Sequence, residues 1–261
     1  MRYEHVYAIP AYKDSPYLED CIRSLKGQTC PSPVILCTST PSAYIRGLAE
    51  NYGIPLHVRE GKSGIKEDWN FAYAMADGEF VTIAHQDDVY HKDYGSCLRE
   101  AVRQYKDMTV FTTDYVIIKD GRLITGDAML WVKRLLRLPL RIPALRDKTW
   151  GKLLPLMFGN SICCPATTYN KGRIGEPLVD SLFQFALDWD TLDRLARRDG
   201  RFVCEERPLL YYRVHSGAAT KACMEDDRRS REERAMFSRY WPEALVRLLM
   251  RGYRAAYKEY D

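Results

Sequence analysis

GKSGIKEDWNFAYAMADGEFVTIAHQDDVY, residues 61–90, holds a helix, a stop and a buried strand in succession. Lys66 to Met75 reads as the helix, and Gly78 supplies a natural stop for it. Phe80 to Ala84 is then an apolar run of strand length that leads straight into His85, Gln86, Asp87 and Asp88. The same alternation extends back to the amino terminus. His5 to Pro10 reads as a short strand ended by proline. A helix follows with Tyr17, Leu18, Cys21, Ile22 and Leu25 on one face, Ser15 as N-cap, Pro16 as first residue and Glu19 in the first turn. Val34 to Cys37 is a second strand, Tyr44 to Tyr52 a second helix and Leu56 to Val58 a third strand. Strands that alternate with helices of this length predict a parallel α/β sheet. Such sheets bind ligands beyond the carboxyl ends of their strands. That edge is predicted to carry Pro10-Ala11-Tyr12, Thr38-Ser39-Thr40 and Gln86-Asp87-Asp88.

Beyond residue 108 the pattern becomes mixed. Val110 to Ile118 and Arg122 to Thr125 read as a hairpin around Lys119-Asp120-Gly121, and Ser161 to Tyr169 is strand-like. Trp189 to Ala196 reads as a helix, Leu209 to Val214 as the last strand, and a long charged helical region closes the chain. With 261 residues and no repeat or low-complexity linker, the expectation is one compact domain over 1–220 with a helical extension over 221–261. The first 108 residues form its ligand-binding half.

Composition excludes several classes. Apolar residues at 46% and charged residues at 28% are ordinary for a globular protein. The longest apolar runs, such as Thr109 to Val116, fall short of the roughly 18 residues of a membrane span. The Met-Arg-Tyr-Glu-His start does not read as a secretory signal. Eight cysteines form no CxxC pair and sit mostly among apolar residues, which argues against zinc sites and disulfide frameworks and for a reducing cytoplasm. The net charge of +4 conceals two basic stretches: seven cations and one anion from Lys133 to Lys152, and nine cations and three anions from Arg228 to Lys258. An anionic partner or a solvated helix face accounts for either.

Asp87 and Asp88 hold the chemistry. Two neighbouring carboxylates at the end of a buried strand cost several kcal/mol unless a cation neutralises them. A divalent metal bridging them to a diphosphate is one reading, and a capped turn is the other. The chain contains no Gly-x-Ser-x-Gly elbow, no phosphate loop and no Gly-x-Gly-x-x-Gly turn.

IPAYKDSPYLEDCIRSLKGQT (9–29), the 61–90 segment, LDWDTLDRLARRDGRF (187–202) and YYRVHSGAATK (211–221) together resemble the family 2 glycosyltransferases of the GT-A fold. The resemblance spans roughly residues 3 to 220. It implies a Rossmann-like, mostly parallel sheet flanked by helices, with a mixed second half. It also implies metal-dependent, inverting transfer of a hexose from a nucleotide diphosphate sugar, with UDP first among the nucleotides, to a hydroxyl of a surface-glycan or lipid-linked acceptor. Pro10, Ala11 and Tyr12 would line the base and ribose pocket. Ser39 stands in the Thr38-Ser39-Thr40 strand end, where the family usually has an acid. Gly64 would let the nucleotide approach the backbone, Asn70 would donate an amide, and Gln86 and Asp87 would contact the nucleotide. Mn²⁺ or Mg²⁺ would be held chiefly by Asp88, with Asp87 and His215. Asp188 would be the catalytic base, with Asp190 its competitor. Lys221 and the cations from Arg228 onward would meet diphosphate or an anionic acceptor.

Residues 129–138 set Trp and Leu against Lys and Arg, which suits either peripheral attachment to an anionic bilayer or a helix packed on the core with snorkelling cations. The expected setting is the cytoplasm, at the inner face of a membrane, with no nucleic acid partner. Nucleotidyl transfer on a similar sheet and a non-catalytic polyanion-binding module are the competing readings.

Overall fold

The computed structural model describes residues 3–215 and 227–257. Strand β1 (Tyr3–Ala11) sends Val6 and Ala8 into one apolar layer and Tyr7, Ile9 and Ala11 into another. Burial on both faces is what a parallel sheet covered by helices demands of its strands. Helix α1 (Leu18–Lys26), strand β2 (Val34–Thr38), helix α2 (Ala43–Tyr52), strand β3 (Leu56–Val58), helix α3 (Ile65–Met75) and strand β4 (Gly78–Ile83) complete the alternating half. Its strands run parallel in the order β3-β2-β1-β4.

Two local expectations are corrected. Helix α1 begins at Leu18, with Tyr17 at its N-cap position and no side-chain cap. The Ser15 hydroxyl donates to Asp87 Oδ1 at 2.6 Å and accepts from Tyr17 N at 3.3 Å, so it ties the turn before the helix to the site. Gly78 does not end α3, whose C-cap is Ala76; it opens β4. A Cβ there would lie 2.8 Å from the Phe80 carbonyl oxygen and 2.9 Å from Val6 Cγ2, so only glycine lets β4 approach β1 this closely.

The second half contains β5 (Val89–Tyr90), α4 (Tyr94–Gln104), β6 (Met108–Lys119), β7 (Arg122–Ile124), α5 (Ala128–Leu136), α6 (Leu138–Arg141) and α7 (Thr149–Met157). After these come β8 (Thr167–Asn170), α8 (Lys171–Ile174), α9 (Leu187–Ala196), β9 (Arg201–Val214), α10 (Arg228–Ser238) and α11 (Glu243–Tyr257). The sheet reads β3-β2-β1-β4-β8-β6-β9-β5, with β7 paired to β6. Strand β8 is antiparallel to both β4 and β6, and β9 is parallel to β6. Two reversals cancel, so β9 runs with β1, β2 and β4 and delivers its carboxyl end to their edge. The β6–β7 hairpin turns through Asp120 (φ 49°) and Gly121 (φ 73°), the paired positive angles that favour Asp-Gly.

Of the strand expected over 161–169, only Thr167–Asn170 forms. Cys164–Ala166 is a short 3₁₀ turn, because Pro165 has no N–H to give a ladder. The sequence reading missed α4, α7 and the Arg201–Cys204 part of β9. In β9 the charged run Glu205-Glu206-Arg207 and Pro208 interrupts the apolar pattern, and the β6 register shifts at Asp114.

The carboxy-terminal helices are part of the main core. Met236 and Phe237 from α10, with Val246 and Met250 from α11, are buried with Trp189 and Leu192 of α9. The Phe237 ring meets Trp189 edge-on at 5.1 Å. Seven described cysteines are free thiols; Lys221 and Cys223 lie outside the described residues. Among the described residues no helix is long and apolar enough to cross a membrane.

Candidate active site

The carboxyl edge of β1, β2 and β4 gathers the first group of candidates. Tyr12 follows β1 with its side chain 45% exposed. Its backbone is clamped by Gln86, which accepts from Tyr12 N at 2.9 Å and donates to Tyr12 O at 3.1 Å. The chain then bends sharply at Lys13 (φ 54°), whose N–H donates to Thr40 Oγ1 at 2.7 Å. A left-handed non-glycine residue costs on the order of 1 kcal/mol and marks a turn held by its surroundings. Pro10 is half-buried and Ala11 buried, so backbone rather than side chain is what they present.

Ser39 belongs to a network that the sequence reading did not single out. Its hydroxyl is within hydrogen-bond distance of Ser63 Oγ at 2.9 Å and Asp68 Oδ2 at 3.0 Å. Asp68 also accepts from Gly64 N at 3.3 Å and is paired with Arg59 at 2.8 Å. Asp68 thus sets a carboxylate beside the strand end that lacks one of its own. Its signal lay in the 61–90 segment, four residues beyond Gly64. Asn70 spends both ends of its amide on one residue: Nδ2 donates to Val179 O and Oδ1 accepts from Val179 N, each at 2.8 Å. It ties α3 to the loop that precedes α9.

The two adjacent aspartates diverge. Asp88, 2% exposed, accepts from Arg213 N at 2.8 Å, as the β5–β9 pairing requires. Burial pushes its carboxyl up to about 8, reinforced by the Asp87 charge and opposed by the Arg213 N–H. Asp87 is half-buried, accepts from Ser15, and has Oδ2 3.3 Å from His215 Nε2. Arg213 Nε donates to the Asp87 carbonyl oxygen at 2.9 Å. The sequence reading gave Asp88 the greater weight as metal ligand. The structure turns that side chain onto backbone and gives the more open position, facing His215, to Asp87. His85 packs against Trp69 with centroids 5.1 Å apart, and burial lowers it to about 4, so it is neutral.

Asp188 lies in the first turn of α9, in the second half of the chain. Burial raises its carboxyl, while the Trp189 and Asp188 backbone N–H groups, the Lys133 cation and the Asn160 amide hold it down. Asn160 Nδ2 donates to Oδ2 at 2.8 Å. Burial raises the Cys164 thiol, and the Asp188 and Asp88 charges add to that push. Asp190 pairs with Arg239 at 2.5 Å and is committed to α10.

A divalent cation fits this edge in part. His215 Nε2 is buried and unaligned for any hydrogen bond, and Asp87 Oδ2 faces it, a nitrogen–oxygen donor pair suited to Mn²⁺. Among the described residues no three His, Cys, Asp or Glu side chains gather closely enough to hold a metal unaided. A cation here would need ligands beyond these two side chains.

Solved structures share this architecture, the GT-A fold. Residues 1–349 of S. aureus TarS, in complex with UDP-GlcNAc, superpose with a TM-score of 0.66 at 14% identity, covering 95% of this chain and 70% of that one. Mannosyltransferase PcManGT from Pyrobaculum calidifontis, in complex with GDP-Man and Mn²⁺, gives 0.60 at 17% identity, covering 92% and 64%. Glucosyl-3-phosphoglycerate synthase from Mycobacterium tuberculosis, in complex with phosphoglyceric acid, gives 0.56 at 16% identity, covering 92% and 80%. A search of curated proteins finds no match. The chain belongs to glycosyl transferase family 2, whose sequence pattern matches residues 7–162. Asp188 and His215 lie beyond the matched segment.

Proposed function

We propose that the protein transfers a hexose, with inversion, from a nucleotide diphosphate sugar to an acceptor hydroxyl, and that UDP-sugars are the donors to test first. One observation carries the reading: the strand ends bring Asp87 and His215 to 3.3 Å of each other, and the same fold holds a buried carboxylate with a raised pKa, Asp188. The nucleotide sugars bound by TarS and PcManGT, proteins of the same fold, support the donor class.

The donor lies across the ends of β1, β2 and β4, with Tyr12 against the base and Ser39 and Asp87 among its polar contacts. An alcohol is a poor nucleophile until its proton is accepted, and a carboxylate raised toward neutrality accepts it best. Asp188 takes that proton as the hydroxyl oxygen bonds to the anomeric carbon. The bond from that carbon to the diphosphate breaks on the opposite face, and its electron pair leaves with the diphosphate. Asn160 keeps Asp188 Oδ2 in place. Asp87 and His215 would hold a divalent cation, which would supply positive charge to the departing diphosphate.

A panel of nucleotide sugars, assayed for turnover with and without Mn²⁺, tests the reading. One donor is expected to be consumed by the wild type. Asp188→Asn is expected to bind the nucleotide unchanged while transfer falls about 10²–10⁴-fold, the usual worth of a general base. Unaltered turnover in that variant removes Asp188 from the reaction, and no turnover of any donor overturns the proposal.

A further inference from the structure

Helix α5 turns its cations inward and exposes Trp131, Val132 and Leu135, while Leu130 is buried. Trp131, Leu135, Leu138 and Ile142 follow at spacings of four, three and four, one stripe along α5 and α6. All are exposed, Trp131 at 63% and Leu135 at 65%. Trp150 adds a second exposed indole from α7, which packs against both helices. Six of the fifteen large exposed hydrophobic side chains among the described residues fall between positions 131 and 150, a density that marks an interaction surface.

The charges lie behind this stripe. Arg137 is fully buried and paired with Asp114, and Arg134 pairs with the same carboxylate at 2.7 Å while lying over the Trp131 ring. Lys133 donates to the Tyr115 hydroxyl at 3.0 Å, and Lys152 to two backbone carbonyls. Lys133 to Lys152 carries seven cations against one anion, and two of those cations share Asp114. A surplus of positive charge backs the apolar face.

We propose that this face seats on an anionic lipid bilayer, with Trp131, Leu135, Leu138, Ile142 and Trp150 entering the boundary between headgroups and acyl chains. Exposed indoles together with an aliphatic stripe suit that boundary, and the charge behind them attracts anionic headgroups. A second copy of the chain is disfavoured by the same charge, since an isologous contact sets like fields face to face. The docking itself does not depend on the proposed transfer.

Flotation of the full chain with vesicles of equal parts phosphatidylglycerol and phosphatidylcholine tests this. The wild type is expected to float at low salt with a blue-shifted tryptophan emission. Trp131→Ser with Leu135→Ser, and separately Trp150→Ser, are expected to lose about tenfold in partitioning while melting as the wild type does. Failure of the wild type to float, or equal flotation of all variants, overturns the proposal. Equal capture by pure phosphatidylcholine overturns its headgroup part. A wild-type dimer in light scattering that the double variant converts to monomer assigns the face to a second copy instead.

Discussion

Asp87 and Asp88 show how one step along the chain changes a carboxylate's chemistry. The antiparallel pairing of β5 with β9 fixes Asp88 against the Arg213 N–H, where burial raises it to about 8, so near neutral pH it is largely protonated. Asn mimics a protonated Asp, and Asp88→Asn is therefore expected to keep stability within about 1 kcal/mol, checked by urea unfolding. Asp87→Asn and His215→Ala are expected to raise the Mn²⁺ concentration needed for half-maximal turnover at least about tenfold. Glu233 provides a pH signature. It is buried, burial lifts it from 4.5 to about 7, and the Arg229 cation only partly opposes this. Below pH 4.5 both states hold the proton and nothing is lost. Between 4.5 and about 7 the unfolded chain ionises while the folded one does not, so stability falls as pH rises, by about 3 kcal/mol in all. Glu233→Gln is expected to flatten that slope in melts taken from pH 4 to 8. The pair 87–88 was legible as residues, since two adjacent acids are unusual at the end of a buried strand, whereas Asp188, in the first turn of a helix, was singled out only through the family resemblance. Asp68 was not, because an acid in the first turn of a helix is common and only the fold sets it beside Ser39.

At the scale of elements, α5 was legible as amphipathic but its orientation was not. Periodicity shows that two faces differ; which face turns inward depends on Asp114, seventeen residues before Trp131 and on another element. Its buried carboxylate needs cations, and Arg134 and Arg137 supply them. Asp114→Ala leaves a fully buried guanidinium uncompensated, and it is expected to cost about 3–5 kcal/mol in guanidinium chloride unfolding. A much smaller loss shows that the pair does not hold α5 to β6. Gly78 was likewise visible as a punctuation mark and misread as a helix stop, because its reason is the combined closeness of the Phe80 carbonyl and of Val6 on β1, which only the pairing of β4 with β1 creates. Strand boundaries failed where proline and charge entered a pairing that tertiary contacts sustain: β9 continues through Glu205 to Pro208 because β6 lies alongside it throughout.

Across the whole molecule, the sheet collects residues from positions 12, 39, 87 and 215 at one edge because β1, β2, β4 and β9 share a direction. Alternation in the first hundred residues made three of those strand ends legible; the fourth needed β8 to reverse between β4 and β6, which no local pattern announces. Placement of Asp188 draws on the far end of the chain. The Glu232 carboxylate of α10 accepts from the N–H groups of Gln184, Phe185 and Ala186, at 2.7 Å from Phe185 and 2.9 Å from Ala186, just before α9 begins. An anion there satisfies three donors at once and complements the dipole of the helix that carries Asp188. Glu232→Ala frees those donors and lets the start of α9 shift. Since a displacement of about 1 Å at a reacting group can cost up to 10²-fold, kcat is expected to fall at least about tenfold. Donor binding, which rests on the opposite half of the sheet, is expected to stay unchanged by thermal shift with UDP. Glu232→Gln, which keeps acceptor oxygen without charge, is expected to fall between the two. If Glu232→Ala lowers donor affinity and kcat equally, the carboxy-terminal helices support the whole fold rather than the position of Asp188.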